Sequence, residues 1–141
     1  MKKLLLLIIC IVIFGCSKNN GSTKNNPPVQ ASIYGKWYLT IDTALTYNNG
    51  ILVQTIVHGY SSNNDKNYIQ FNKDGTGSTA FVGDTVSINY QLSGDTVIYA
   101  GRTKVGFIKQ LTTSQLTLYY DVSGVVNSVN QRIITIDHFR R

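Results

Sequence analysis

From residue 33 onward, apolar and polar residues alternate with a period of two. Thr85–Leu92 is the clearest stretch: Val86, Ile88, Tyr90 and Leu92 interleave with Thr85, Ser87, Asn89 and Gln91. That is the pattern of a strand with one face buried and one face wet. The same alternation puts Trp37, Leu39, Ile41 and Leu45 on one face of an early strand. It puts Leu116, Leu118, Tyr120 and Val122 together on a later strand, and Ile134, Ile136 and His138 together on the last. Turn signals fall between the runs, at Asp74-Gly75, Gly83-Asp84 and Ser93-Gly94-Asp95. The pattern predicts strands over 36–46, 51–60, 67–72, 76–82, 85–92, 95–100, 104–111, 115–122 and 131–139. No stretch has the spacing, length and caps of a core helix.

Most links after residue 66 are short, which favours consecutive antiparallel hairpins. The expected fold is therefore all-β, an antiparallel up-and-down meander closing into a small barrel of about eight strands. A two-sheet β-sandwich is the second architecture the pattern allows. An eight-stranded barrel is either filled by its own side chains or holds one small ligand.

The first fifteen residues differ from the rest. Lys2 and Lys3 precede an apolar run from Leu4 to Phe14, and Gly15 stands directly before Cys16. The run is too short to cross a bilayer, which takes about 20 apolar residues, and reads as a secretion signal. Ser17 to Ser32 is rich in Asn, Ser, Gly and Pro and cannot bury a core. As flexible chain it would hold the folded domain on the order of 20–24 Å from Cys16. The organisation expected is a signal over 1–15, an anchored cysteine and tether over 16–32, and a folded domain over 33–141.

Ile13-Phe14-Gly15-Cys16 resembles the lipobox of bacterial lipoproteins. That resemblance implies cleavage before Cys16, a diacylglyceryl thioether on it, and membrane lipid as a partner. Each buried methylene contributes about 0.8 kcal/mol, so two or three acyl chains anchor permanently. Ser17 lacks the aspartate that favours inner-membrane retention in well-studied lipoproteins, and Ser17-Lys18-Asn19-Asn20 has no acidic cluster. The resemblance thus implies the outer membrane, on its periplasmic face. Cys10 and Cys16 are the two cysteines, so a chain cut before Cys16 keeps no thiol for a disulfide, redox pair or metal site. The net charge is +6, of which Lys2 and Lys3 supply two, and the remaining basic residues are scattered apart from Arg140-Arg141. No nucleic-acid partner is expected.

Gly35-Lys36-Trp37 opens the first predicted strand. A Gly-x-Trp at the head of a β-meander resembles the lipocalins and, more closely, the lipocalin-like domains of Bacteroidetes-type outer-membrane lipoproteins. Tyr68–Gly77 and Ile108–Leu118 are similar to recurring hairpins of that group. The resemblance implies that Trp37 plugs the closed end, with a basic residue from the last strand across it. Arg140 shares the face of Ile134, Ile136 and His138, so a Trp37–Arg140 cation–π pair of about 0.5–2 kcal/mol is expected. Trp37, Tyr90 and Tyr120 become the candidate interior residues for a small apolar or amphipathic ligand.

Chemistry is sparse. All seven acids are aspartates, and Asp74, Asp84 and Asp95 sit in predicted turns, where Asp is favoured for backbone reasons. Asp42 and Asp137 lie opposite the apolar faces and are expected to point outward, as neighbours if the first and last strands pair. Asp74-Gly75-Thr76-Gly77 is a hairpin turn rather than a catalytic loop. Asn63, Asp65 and Asn67 have calcium-loop spacing, but Tyr68 stands where glycine is needed and the chain has no glutamate. His58 and His138 are too few for a metal site, and His138 is expected inside the barrel. No Ser-x-x-Lys, Gly-x-Ser-x-Gly or phosphate-binding loop appears. No catalytic residue, metal or cofactor is expected.

Nine tyrosines remain. Tyr90 and Tyr120 fall inward, while Tyr38, Tyr47 and Tyr60 are expected at the surface or a rim. A second function is compatible with the same pattern. It is a filled barrel acting through its surface as an accessory subunit, inhibitor or adhesin, with Ser123–Asn130 as the loop presented to a protein partner.

Overall fold

The computed structural model describes residues 30–61, 66–101 and 105–141. Those residues form nine strands, all antiparallel to their neighbours: β1 Gly35–Asn48, β2 Ile51–Gly59, β3 Tyr68–Phe71, β4 Thr76–Phe81, β5 Asp84–Ser93, β6 Thr96–Tyr99, β7 Val105–Leu111, β8 Gln115–Val126 and β9 Val129–Arg140. The sheet runs β2-β1-β3-β4-β5-β6-β7-β8-β9 and closes through β1–β9. The result is an eight-stranded up-and-down barrel with one extra strand, β2. Closure removes the sandwich alternative.

β1 is long enough to serve two partners along one edge. Its start pairs with β3, from Gly35↔Phe71 to Tyr38↔Tyr68. Its remainder pairs with β2, from Ile41↔Gly59 to Asn48↔Ile51. The turn between them is Asn49-Gly50, both at positive φ, which the twist of a two-residue hairpin requires. β8 and β9 also outrun the barrel, pairing as far as Val126↔Val129 beyond the last β7 contact at Tyr120. β2, β1, β9 and β8 therefore continue as a four-stranded wing above the rim. The stretch Ser123–Asn130, expected to be a loop, is the tip of this β8–β9 hairpin.

Two of the inward faces are as the alternation predicts: Ile88 and Tyr90 on β5, and Leu116, Leu118 and Tyr120 on β8, are buried. β1 and β9 differ. In β1 the register slips between Leu39 and Ile41, so Thr40 is an extra residue, a β-bulge. Leu39 pairs with Phe139 and Asp42 with Asp137. Leu39 and Phe139 are buried, whereas Ile41 is 42% exposed. In β9 the inward set is Thr135, Asp137 and Phe139, one residue out of phase with the expected Ile134, Ile136 and His138. A one-residue slip turns every side chain of a strand to its other face. His138 therefore lies outside, its Nδ1 3.1 Å from the Thr117 hydroxyl.

The lower end is plugged. Trp37, Phe71, Val97, Leu116 and Leu118 are fully buried there, and Phe71 meets Tyr90 edge-on at 4.9 Å. The Trp37 indole N–H donates to the Ile33 carbonyl at 2.6 Å. The cation over the indole is Arg141, 4.0 Å from the ring centre, rather than Arg140. The phase of β9 explains the exchange: with Phe139 inward, Arg140 points out and Arg141 falls back over Trp37. Arg141 also donates to the carbonyls of Ser32, Tyr34 and Thr113, at 2.8, 2.9 and 2.8 Å. It ties the chain leading into β1 to the β7–β8 turn.

Arg141→Ala should therefore cost about 1–2 kcal/mol and lower Tm by several degrees. Arg140→Ala should stay within about 0.5 kcal/mol of wild type. Thermal denaturation followed by Trp37 fluorescence separates the two. Equal effects would refute the placement of Arg141.

Candidate functional site

The upper end is not filled. A cavity of about 250 Å³ opens there, bounded by Leu39 and Asp42 of β1, Ile69 of β3, Thr79 and Phe81 of β4, Ile88 of β5, Tyr99 of β6, Tyr120 of β8 and Thr135, Asp137 and Phe139 of β9. Its walls differ. Ile69, Ile88 and Phe81 make one side apolar. Asp42, Asp137, Thr135 and Tyr120 make the β8–β9–β1 side polar.

The bulge at Thr40 builds that polar wall. Thr40 is held by its hydroxyl, which donates to the His138 carbonyl at 2.9 Å, and by its carbonyl, which accepts from Tyr60 N–H at 2.8 Å. The next inward residue is then Asp42 rather than Ile41. Asp42 and Asp137, expected on the outer surface, both line the cavity as a directly opposed cross-strand pair. The Asp42 side chain is 19% exposed, with Oδ2 3.6 Å from His58 Nδ1. That distance is too long for a hydrogen bond. Its Oδ1 is buried with no hydrogen-bond partner.

Tyr99 and Tyr120 stand beside the carboxylates, their hydroxyls 3.1 Å apart. Burial, reinforced by Tyr99 and Asp137, pushes the Tyr120 phenol well above its usual range. Gly106 is required opposite it, because a Cβ there would lie 2.8 Å from the Tyr120 ring. At the rim Tyr60 packs edge-on to Phe81 at 6.1 Å. Its phenol is also raised, by burial first and then by Asp42 and Asp137. The rim turn after Phe81 holds Val82 at φ 56, strained for a β-branched residue, with its N–H donating to Asn67 Oδ1 at 2.7 Å.

Of the residues expected inside, Tyr120 lines the cavity. Trp37 and Tyr90 belong to the packed core beneath it. The Tyr90 hydroxyl donates to the Asn72 carbonyl in the β3–β4 turn. In that turn Asp74 Oδ1 accepts from the Thr76 N–H and hydroxyl at 2.9 and 2.7 Å, which lowers its pKa. Cys16 lies outside the described residues, as do Asn63 and Asp65 of the calcium-like spacing. Among the described residues no three His, Cys, Asp or Glu side chains gather as a metal site.

Asp42 and Asp137 were missed as site residues, yet the sequence carries a signal for them. Aspartate is disfavoured within strands, and here it recurs in two matching tracts, Thr40-Ile41-Asp42 and Thr135-Ile136-Asp137. No protein-family model matches the chain, and no curated protein matches it significantly. The likeness to lipocalins rests on the closed barrel and on Trp37 at its plugged end.

The buried phenol has a pH signature. In the unfolded chain Tyr120 ionises near pH 10, whereas the fold holds its proton to higher pH. Its contribution is intact below about pH 10 and is lost as pH rises above that, by up to about 1.4 kcal/mol per pH unit. Tyr120→Phe should flatten the alkaline fall in Tm measured between about pH 9.5 and 11. Identical profiles would show that Tyr120 is not buried as described.

Proposed function

We propose that this protein is a membrane-anchored, non-enzymatic binding module that takes one small amphipathic ligand into the open end of a lipocalin-like barrel. The observation that carries the reading is the contrast between the two ends. One is closed by Trp37 and Arg141, and the other holds a preformed cavity of about 250 Å³. Ligand sites are concave and mostly apolar with a few convergent polar groups, and the lining has that composition. The volume suits a compact molecule, below the size of most drug-like ligands.

Support for anchoring comes from Lys2-Lys3, the apolar run to Phe14, Gly15-Cys16 and the polar tether after it. The proposed address is the periplasmic face of the outer membrane. The full chain expressed in a Gram-negative host should take up a clickable palmitate analogue and float with outer membranes. Cys16→Ser should abolish both. Native mass spectrometry of the detergent-purified protein should show a small adduct that disappears on denaturation. A ligand-free spectrum together with no binding of small amphiphiles in titration would refute the binding reading.

A second reading, a surface interaction module, is favoured by the wing. β2 is an edge strand, exposed along its whole length, with Ile51 at 70% and Val57 at 61%. It carries no Lys, Arg or Pro, the residues that usually blunt such edges. Its simplest partner is a second copy pairing antiparallel across the edge. Sedimentation should then show concentration-dependent dimers that Val53→Lys with Val57→Lys abolishes. A wild-type chain that stays monomeric across the range would refute it.

A further inference from the structure

We infer that the ligand is a single-chain amphiphile, its hydrogen-bonding head in the cavity and its aliphatic chain lying along the inner face of the wing. This rests on the proposal that the cavity is a ligand site, and it names the class of molecule and the surface that reads its length.

The strands that wall the cavity are the ones that rise above it. Side chains two apart on a strand share a face, so the inward sets continue upward from Thr135 to Ile133 on β9 and from Tyr120 to Val122 on β8. Cross-strand pairing joins them into one surface: Val122 stands opposite Ile133, Ile133 opposite Thr46, and Ala44 opposite Ile56. From Thr135 to Val129 this face runs for roughly 20 Å, at about 3.3 Å per residue. Above Asp42, His58 and Asp137 it carries no charged side chain among the described residues, whereas the outer face holds the Arg132–Asp121 pair.

The apolar side chains of the inner face are uncovered. Ile133 is 37% exposed and Val122 48%, whereas Ile134, the next residue on the opposite face, is 8% exposed. That reverses the usual division of a barrel wall, where the inward side is the covered one. Across the mouth Phe81 and Val86 are exposed as well, and Val86 pairs with the cavity-lining Thr79. Apolar surface therefore flanks the exit of the cavity on two sides.

The order of these surfaces sets the direction of the molecule. Asp42, Thr135 and Tyr120 put hydrogen-bonding groups inside the cavity on β1, β9 and β8, and the same strands turn aliphatic above it. A polar head is met inside, and a hydrocarbon chain leaving the mouth finds apolar surface rather than water. A chain that spans both buries more apolar area than the cavity alone allows. Continuity with the cavity selects this occupant over a protein partner, because one molecule reaches both surfaces.

The test uses the full chain held in digitonin, a detergent with no linear alkyl chain, and 1-butanol, 1-hexanol, 1-octanol and 1-decanol as probes. A fully buried methylene is worth about fourfold in affinity, and one lying on an open face about twofold. Calorimetric titration should show affinity rising through the whole series, by about twofold per methylene from hexanol to decanol. Ile133→Thr combined with Val122→Thr keeps β-branched residues in both strands, and should lower decanol affinity by about tenfold and flatten the series. Far-UV circular dichroism and Tm report whether the variant folds, and the wild-type series stands without it. Affinity that levels off after hexanol would overturn the wing assignment while the cavity reading survives. So would an unchanged series in a variant whose dimers, followed by sedimentation, have dissociated, since a second copy would then be what covers the face. If no alcohol binds, both readings are overturned.

Discussion

One extra residue in the first strand decides how the barrel is used. Thr40 interrupts the alternation that carries Trp37 and Leu39 inward, and the strand resumes with Asp42 inward and Ile41 outward. Below the bulge β1 contributes an indole and a leucine to a packed plug. Above it the same strand contributes a carboxylate to a cavity wall. A bulge leaves one residue unpaired and bends the strand, and it persists only where other contacts hold it. Here the Thr40 hydroxyl and carbonyl engage β9 and the chain just after β2, so the irregularity is tied to both neighbours.

The two ends of the barrel follow from this division. At the plug, apolar burial does most of the stabilising, and the polar groups that must be buried are satisfied locally. The buried indole N–H has the Ile33 carbonyl, and the exposed Arg141 guanidinium covers the ring face while donating to three carbonyls. At the rim the balance reverses: a carboxylate oxygen is buried without a donor, and a valine sits at positive φ. Unsatisfied groups and strained backbone tend to gather at functional sites, where the rest of the structure over-determines them. The packed lower half supplies that over-determination.

Much of the architecture was legible because an antiparallel meander writes itself locally. Short links, turn residues and the alternation around Tyr90 and Tyr120 need no knowledge of distant partners. Phase was the part that could not be read. Ile41 and Leu45 are as apolar as Leu39, and Ile134 and Ile136 are as apolar as Phe139, so hydrophobicity alone chose the wrong face twice. The tie-breaker is a bulge stabilised by residues about a hundred positions away, as the Thr40–His138 contact shows. Arg141 was missed for the same reason, since its position over Trp37 depends on the phase of β9 rather than on its own neighbours. The wing was hidden too, because exposed strands carry no inward face to reveal their length.

The wing also accounts for where those isoleucines went. Once Asp42 and Asp137 face the cavity, Ile41, Ile134 and Ile136 must share the outer face, where register sets Ile134 beside Leu45 and Ile136 beside Thr43 and Tyr119. Ile134 is still 8% exposed, so the outer face is partly closed over by its own neighbours rather than left bare. Arg132 and Asp121 lie near it as a bidentate ion pair, and Lys109 sits 5.0 Å over the Tyr119 ring. Long charged side chains cover apolar surface with their stems while keeping their heads in water. The chain thus spends its aliphatic residues outside on β1 and β9 and places its acids inside.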